Sequence, residues 1–166
     1  MQLELEAGHG SGGLALHLAN VLGRNGTLVS VENRPEHAVV GRDNMTRAAN
    51  ALKEFPNWTL IEGDIAEVSF EDVADEFDAI ILDLPEPWPV ISRLAKKIRY
   101  GGRIACYCPV SSQLEKAWEA CEEAGLHVDW AGEMIERVWT KASRGGVRPG
   151  NTPMGHTAFL LIAERT

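Results

Sequence analysis

The sequence predicts an α/β fold: a seven-stranded, mostly parallel sheet with an antiparallel C-terminal strand and helices on both faces. Three observations predict it. Short apolar runs alternate with segments of helical periodicity, which is the pattern of parallel strands joined by crossover helices. A glycine-rich turn directly follows the first run. Only the last two runs have no helical segment between them, and strands joined in that way are normally antiparallel.

The seven predicted strands are short and either β-branched or continuously apolar, as strands buried on both faces should be. They span residues 3–7, 27–32, 58–62, 79–84, 103–108, 127–138 and 156–163. Helices are predicted at 36–53, where Pro35 suits a first turn, and at 111–124, because both segments place apolar residues on one face. Gly101-Gly102 and Gly125 indicate helix C-termini. Residues 140–155 are rich in Gly and Pro and predict a loop.

Length and composition indicate one domain, residues 1–166. No apolar run approaches the ~20 residues that cross a membrane. The first ten residues have neither the basic nor the apolar region of a signal peptide. Cys106, Cys108 and Cys121 are an odd number, which argues against a disulfide framework and favours the reducing cytoplasm. Cys106 and Cys108 share one face of a strand, and no Cys/His cluster accompanies them, so we expect core packing and no metal site.

The formal net charge of −8 argues against a nucleic-acid-binding protein, because contacts with the phosphate backbone need a basic surface. The charge is nevertheless uneven. Residues 61–91 contain ten acidic and no basic side chains, whereas 137–163 contain four basic and no acidic ones, Arg137, Lys141, Arg144 and Arg148. This asymmetry predicts either a basic loop opposite an acidic face or a simply solvated loop.

The glycine-rich turn lies between the first strand and a helix, which is a Rossmann-like arrangement. Glycine lets the backbone approach a ligand and adopt positive φ, and the helix N-terminus presents free N–H groups to an anion. The dinucleotide pattern G-x-G-x-x-G is satisfied by Gly8, Gly10 and Gly13. The E-x-G-x-G-x-G form of AdoMet enzymes is satisfied by Glu6, Gly8, Gly10 and Gly12. The turn alone leaves both cofactors open, together with a purely structural tight turn.

Acidic residues end or follow three further predicted strands. Ligands of open α/β sheets lie at the carboxyl ends of the strands. Glu32 can accept both hydroxyls of a ribose there, in NAD and AdoMet enzymes alike, and Asp64 can accept a hydrogen bond from an adenine amino group. Asp83 ends a strongly apolar strand at the place where substrate and cofactor would meet, so we expect partial desolvation and a functional role.

Together these segments resemble the class I AdoMet-dependent methyltransferases, and more narrowly the tRNA (adenine-N1)-methyltransferase family that acts on the T-loop adenosine at position 58 of tRNA. The likeness runs over essentially the whole chain. Its narrowest motifs are D-L-x-x-P-W, Y-x-P-x-x-x-Q and G-H-T-A-F, at residues 83–88, 107–113 and 155–159. The resemblance implies AdoMet as cofactor, tRNA as substrate and a homotetramer. The residues themselves lead us to expect no metal and no membrane association.

The resemblance also implies roles for individual residues. Asp83 would face both the cofactor and the target base, and Tyr107 would line the target-base pocket. His9 stands where the family usually has a small residue, so we expect it to affect cofactor affinity. His156 would have a structural part near a subunit contact. The implied cofactor-binding set is Glu6, Gly8, Gly10, Ser11, Gly12, Gly13, Glu32, Asn33, Asp64, Ile65 and Asp83.

Three rival functions stay open at this point. An NAD-dependent oxidoreductase fits the glycine pattern and Glu32, although the reversed last strand argues against it. A methyltransferase could act on another substrate. A non-catalytic subunit with an AdoMet fold is the third rival, because the sequence begins at the first strand and the family's small N-terminal β domain is expected to be absent.

Overall fold

The computed structural model describes residues 2–150, 155 and 157–166. The strands are β1 Leu3–Ala7, β2 Thr27–Glu32, β3 Asn57–Glu62, β4 Phe77–Leu82, β5 Ile98–Cys108, β6 His127–Glu133, β7 Trp139–Lys141, β8 Val147–Pro149 and β9 Phe159–Glu164. The helices are α1 Gly13–Leu22, α2 Pro35–Ala51, α3 Trp88–Ala95 and α4 Ser111–Glu123, with a short 3₁₀ helix at Gly23–Asn25. No helix within these residues is long and apolar enough to cross a bilayer.

Seven strands form the main sheet in the order β3-β2-β1-β4-β5-β9-β6. The first five of these pair in parallel, and β9 pairs antiparallel with both of its neighbours. The predicted fold class is therefore confirmed, including the reversed C-terminal strand. Because β6 and β5 are each antiparallel to β9, they run in the same direction, and all strands except β9 end at one edge of the sheet.

Helices cover both faces of this sheet. On β2, Leu28 packs with Met45 and the buried face of α1, whereas the next residue, Val29, belongs to the larger core that includes α3 and α4. Successive strand residues point to opposite faces, so the two helix pairs lie on opposite sides of the sheet. The core therefore holds the strands rigidly while leaving their carboxyl ends free for a site.

The three cysteines lie in the larger core. Cys106 and Cys108 alternate along β5 and face α4, which contributes Cys121. All three are free and buried. Burial in apolar surroundings raises the pKa of all three thiols, that of Cys121 to about 12. The predicted core packing of the cysteine pair on β5 is confirmed.

Three local predictions were wrong. The predicted strand 127–138 is too long, because β6 ends at Glu133, whose backbone partner is the first residue of β9, Phe159. Gly101-Gly102 does not end a helix but lies within β5, beside a register shift against β4. The predicted loop 140–155 contains β8 and most of β7, which pair as a separate two-stranded sheet. His156 lies outside the described residues.

Candidate active site

The carboxyl ends of β3, β2, β1 and β4 lie side by side, because these strands are parallel neighbours. A cavity of about 580 Å³, here called the edge cavity, opens along them and is bordered by Glu32, Asp64 and Asp83. A second cavity of about 600 Å³, the loop cavity, lies over the glycine turn and is bordered by Gly8, Ser11 and again Asp83. The two cavities therefore share a border, which is formed by Gly8, Arg34 and residues 83–85 and includes the Asp83 side chain.

Most of the predicted cofactor-binding residues border one of these cavities. Those at the edge cavity are Gly8, Glu32, Asn33, Asp64, Ile65 and Asp83. Those at the loop cavity are Gly8, Gly10, Ser11, Gly13 and Asp83. Glu6 and Gly12 border neither, so the structure gives them a place behind the cavities, and their direct contact with a cofactor stays a prediction.

Gly8 is the tightest point of the glycine turn. Its φ of 88° lies in the left-handed region, and a Cβ there would lie 1.9 Å from the carbonyl oxygen of Asp83. The Gly8 N–H donates to the carbonyl of Val31, 3.1 Å away, and the Asp83 N–H donates to the carbonyl of Ala7, 2.9 Å away. Only glycine therefore allows the turn after β1 to pack against the backbone that leaves β4.

The rest of the turn leads into α1. Gly10 and Gly12 also have positive φ, 55° and 83°. The Gly12 N–H donates to the carbonyl of His9, 2.9 Å away, and α1 begins at the next residue. Gly13 differs, since its Cβ would meet no atom within 4 Å. The turn places the N-terminus of α1 at the loop cavity, where its free N–H groups can bind an anionic group.

Glu32 ends β2 with its side chain buried and both carboxylate oxygens engaged. One oxygen accepts from the Gly10 N–H at 2.7 Å, and the other from the backbone N–H and the Nε of Arg34, each at 3.0 Å. Burial by itself would raise the pKa of Glu32, but the hydrogen bonds from Arg34 and Gly10 outweigh it and lower the pKa. Glu32 is therefore a charged acceptor that also ties the glycine turn to β2.

A buried polar network lies behind the glycine turn. Oε1 of Glu6 accepts a hydrogen bond from the Ser30 hydroxyl at 2.6 Å and lies 2.6 Å from Nδ1 of His9. The Ser30 oxygen accepts from Nε1 of Trp58 at 2.9 Å, and the rings of Trp58 and His9 lie 5.7 Å apart. The network connects the turn to β1, β2 and β3.

The His9 ring fits only because two glycines face it. A Cβ at Gly41, on α2, would lie 2.3 Å from Nε2 of His9, and a Cβ at Gly12 would lie 3.3 Å from the ring. The Nε2 atom is buried and has no hydrogen-bond partner among the residues that the structure describes. Sequence reasoning had tied His9 to cofactor affinity but missed Ser30, Trp58 and Gly41. The sequence did contain one signal, the polar residue Ser30 inside an otherwise apolar strand. In the structure Ser30 pairs with Glu6.

Asp64 and its neighbours form the far wall of the edge cavity. The Asp64 side chain is exposed, and its Oδ1 accepts from the Ala66 N–H at 2.8 Å. Ile65 is buried and packs into the core below it, while Asn33, which also borders the cavity, follows the neighbouring strand β2. This wall combines one apolar surface with one free carboxylate oxygen, which suits a flat base with an amino group.

Asp83 is exposed to solvent at the border of both cavities. Desolvation by the groups around it, and secondarily the negative charge of Glu6, raises the pKa of Asp83. The backbone that follows is held by Gln113 of α4, whose Nε2 donates to the carbonyl of Pro85 at 2.8 Å. Asp83 is therefore a carboxylate of increased basicity on a backbone segment that is held in place.

Tyr107 is not brought to this site. It lies on β5 between Cys106 and Cys108, which face α4, so its ring points to the opposite face of the sheet. Its side chain is 43% exposed and borders neither cavity. The contact of Tyr107 with a target base stays a prediction.

The sheet order, the reversed strand β9 and the glycine turn beside the strand ends define the fold of the Rossmann-like AdoMet-dependent methyltransferases. A solved structure of a SAM-dependent O-methyltransferase from Thermotoga maritima superposes with a TM-score of 0.83 at 26% identity, over 99% of this chain and 59% of that one. More narrowly, the chain belongs to the family described as tRNA methyltransferase complex GCD14 subunit, whose model matches residues 2–145.

Two curated relatives are similar over nearly the whole chain. The tRNA (adenine(57)-N(1)/adenine(58)-N(1))-methyltransferase TrmI of Methanocaldococcus jannaschii is 34% identical over 183 residues, covering 96% of this chain and 63% of the relative. The tRNA (adenine(58)-N(1))-methyltransferase TrmI of Thermus thermophilus is 32% identical over 161 residues, covering 97% and 60%. The chain thus spans about three fifths of the length of these relatives.

Proposed function

We propose that this chain is a catalytic domain that transfers a methyl group from AdoMet to N1 of the T-loop adenosine at position 58 of tRNA. The observation that carries the proposal is the position of Asp83, where the edge cavity and the loop cavity meet. Membership of the tRNA methyltransferase family supports the choice of substrate.

The residues of the two cavities fit AdoMet. The ribose hydroxyls suit Glu32, the adenine suits the wall formed by Asp64 and Ile65, and the methionine carboxylate suits the N-terminus of α1. A carboxylate has about four acceptor positions, and Glu32 uses three for Gly10 and Arg34. The Arg34 side chain is half exposed, so it can release its position to a second hydroxyl. When bound, AdoMet supplies a methyl group on a positively charged sulfur.

Asp83 then acts on the target base. Adenine N1 is neutral and carries a lone pair, so the protein need not generate the nucleophile. The N1–methyl bond would form as the methyl–sulfur bond breaks, with its electron pair leaving on sulfur to give neutral S-adenosyl-L-homocysteine. The positive charge is thereby transferred to the base, which makes its exocyclic amino group more acidic. Asp83 accepts a hydrogen bond from that amino group, stabilises the developing charge and can take the proton. The raised pKa of Asp83 increases its strength as an acceptor.

The base must leave its stack to reach Asp83, because N1 lies on the pairing edge. The backbone around Asp83 is held on both sides, by the hydrogen bond from its own N–H to Ala7 and by that from Gln113 to Pro85, which limits the backbone rearrangement needed when the base enters. Fixed donors and acceptors are what make such electrostatic stabilisation effective.

The test is incubation of the chain with unmodified tRNA and labelled AdoMet, followed by digestion and nucleoside analysis. We expect N1-methyladenosine at position 58, and mapping the product distinguishes position 57, the second position in the name of the archaeal relative. Asp83→Asn serves as the matched variant with the same side-chain volume. A labelled product on another atom, such as a ribose hydroxyl, or AdoMet binding without any transfer to tRNA, would overturn the proposal.

Assembly and compartment belong to the same proposal. We propose a homotetramer, as the family resemblance implies, in the cytoplasm. One side of the sheet supports self-association, because Tyr107 on β5 and Trp130 on β6 both lie on the face away from α4 and are about 40% exposed. Three buried, free cysteines support a reducing compartment.

A further inference from the structure

The segment from Arg137 to Gly150, here called the basic hairpin, stands outside the main sheet. Its strands β7 and β8 pair only with each other within the described residues. Gly145 and Gly146, with φ of 90° and 83°, form the turn between them. Its four basic side chains are all exposed, as are the large apolar side chains of Val138, Trp139 and Val147.

The basic hairpin leaves the sheet at the same edge as the candidate active site. It follows β6, whose last residue, Glu133, pairs with Phe159, and Phe159 also pairs with the last residue of β5, Cys108. Since β5 is parallel to β4, the ends of β6 and β4 lie at one edge of the sheet. The hairpin therefore emerges from the edge at which Asp83 lies, within reach of a macromolecule that has one nucleotide at Asp83.

The charge of the hairpin differs from that of the rest of the chain. The rest of the chain has 24 acidic and 12 basic side chains. Arginines in that part, such as Arg42, Arg99 and Arg103, are paired with carboxylates. Within the described residues, Arg137, Lys141 and Arg144 have no ion pair. These cations are available for an outside anion, on a protein whose body repels polyanions.

The hairpin also places an aromatic ring beside a cation. Residues paired across an antiparallel ribbon share a face, and every second residue returns to it. Trp139 pairs with Pro149 and Lys141 with Val147, so these four side chains lie on one face, with Thr140 and Arg148 on the other. An exposed indole can stack on a base, and the ammonium group next to it can neutralise the phosphate of the same nucleotide.

We propose that the basic hairpin is an RNA-binding arm that holds the phosphates, and one unstacked base, next to the nucleotide at Asp83. The inference deepens the proposed function and rests on its RNA substrate. The charge of the hairpin favours RNA over a protein partner. A surface that binds a protein through its apolar side chains would not need four basic side chains and no acidic one.

The test compares two triple variants of equal net charge. Arg137→Gln, Lys141→Gln and Arg144→Gln neutralise the hairpin, whereas Arg47→Gln, Lys53→Gln and Lys96→Gln neutralise three exposed cations on or near the helices. Binding of an unmodified tRNA transcript is measured by fluorescence anisotropy at several KCl concentrations, and AdoMet binding by calorimetry. We expect the hairpin variant to lose at least tenfold in tRNA affinity and about 2 in the slope of log K against log salt.

The control variant should keep the slope, and both variants should keep AdoMet affinity and melting temperature. Trp139→Ala should weaken tRNA binding severalfold with no change in slope, because stacking does not release counterions. Equal losses in the two triple variants, or wild-type protein that does not bind tRNA, would overturn the inference. A hairpin variant that changes only the sedimentation mass would show that the arm contacts a second copy instead.

Binding and methylation separate this inference from the proposed function. Wild-type protein that binds tRNA with the expected salt slope but forms no methylated nucleoside would refute the function and leave the arm in place. Methylation that is insensitive to the hairpin substitutions, with unchanged binding, would refute the arm alone.

Discussion

The glycine turn and the basic hairpin lie at the same edge of the sheet but are built in opposite ways. Around the turn, Glu6, His9, Ser30 and Glu32 are buried and hydrogen-bonded to one another or to the backbone. Most side chains of the hairpin are exposed, and within the described part of the chain its two strands pair only with each other. A small rigid ligand is bound best by groups fixed in advance, whereas a large, flexible polyanion can be bound by mobile surface charges.

The largest expected effect comes from Gly8→Ala, which breaks the rigid side of this comparison. The new Cβ would meet the Asp83 carbonyl, and the left-handed backbone would be strained. Strain and overpacking together should lower the free energy of unfolding by about 2–5 kcal/mol and abolish AdoMet binding. Urea unfolding measures the first effect and calorimetry the second.

Gly13→Ala is the matched control for stability, because its Cβ would meet no atom within 4 Å and its φ is not positive. Its free energy of unfolding should stay within about 0.5 kcal/mol of the wild-type value. If Gly8→Ala and Gly13→Ala were equally stable, the close packing between the glycine turn and the backbone after β4 would not contribute to the free energy of unfolding.

The second effect concerns Asp83, which borders both cavities. Asp83→Asn should lower the turnover of tRNA methylation by on the order of 10²-fold while AdoMet affinity is kept. In the wild-type protein the rate should fall as the pH drops through the raised pKa of Asp83, since the protonated carboxyl cannot accept the amino hydrogen. A pH–rate profile under saturating AdoMet measures this dependence.

The same raised pKa has a consequence for stability. A carboxyl whose pKa is higher in the folded than in the unfolded state destabilises the fold once the pH exceeds its unfolded value. Asp83→Asn should therefore be slightly more stable than wild type at neutral pH, and the difference should vanish below about pH 4. If Asp83→Asn were less stable than wild type at neutral pH, that result would contradict a raised pKa of Asp83 in the folded protein.

A smaller loss of stability than that of Gly8→Ala tests the network behind the turn. Gly41→Ala would bring a methyl group within 2.3 Å of His9, so we expect a loss of about 1–3 kcal/mol in stability and weaker AdoMet binding. In a His9→Ala background part of that loss of stability should disappear. The rest should remain, because the new Cβ would still lie 2.8 Å from the Gly10 carbonyl oxygen. A double-mutant cycle measures the coupling, and strict additivity would mean that His9 does not fix the turn.

The sequence was informative wherever a pattern is local. The glycine turn, Glu32, Asp64 and Asp83 each follow an apolar run, and parallel strands must end at one edge, so their convergence could be predicted. The reversed β9 could be predicted because the sequence has no helical pattern between the last two apolar runs.

Long-range packing could not be predicted in this way. The burial of His9 depends on Gly41, which lies on a different helix, and no local pattern joins the two. The hairpin strands β7 and β8 have three residues each, too short for periodicity to distinguish them from a loop. Gly101 and Gly102 predict a helix end, because glycines often stand there, but they lie in a strand. Glycine is also required where β5 shifts its register against β4, since a Cβ at Gly102 would meet backbone atoms.

The three core cysteines give this protein an internal reporter of its own opening. Alkylating reagents react with thiolates, and burial raises the pKa of Cys121 to about 12 and that of Cys106 and Cys108 in the same direction. Labelling therefore requires separation of α4 from β5. The rate of thiol modification, followed by mass spectrometry, would time the unfolding of this helix without any added probe, and ligands that bind the native state would slow it.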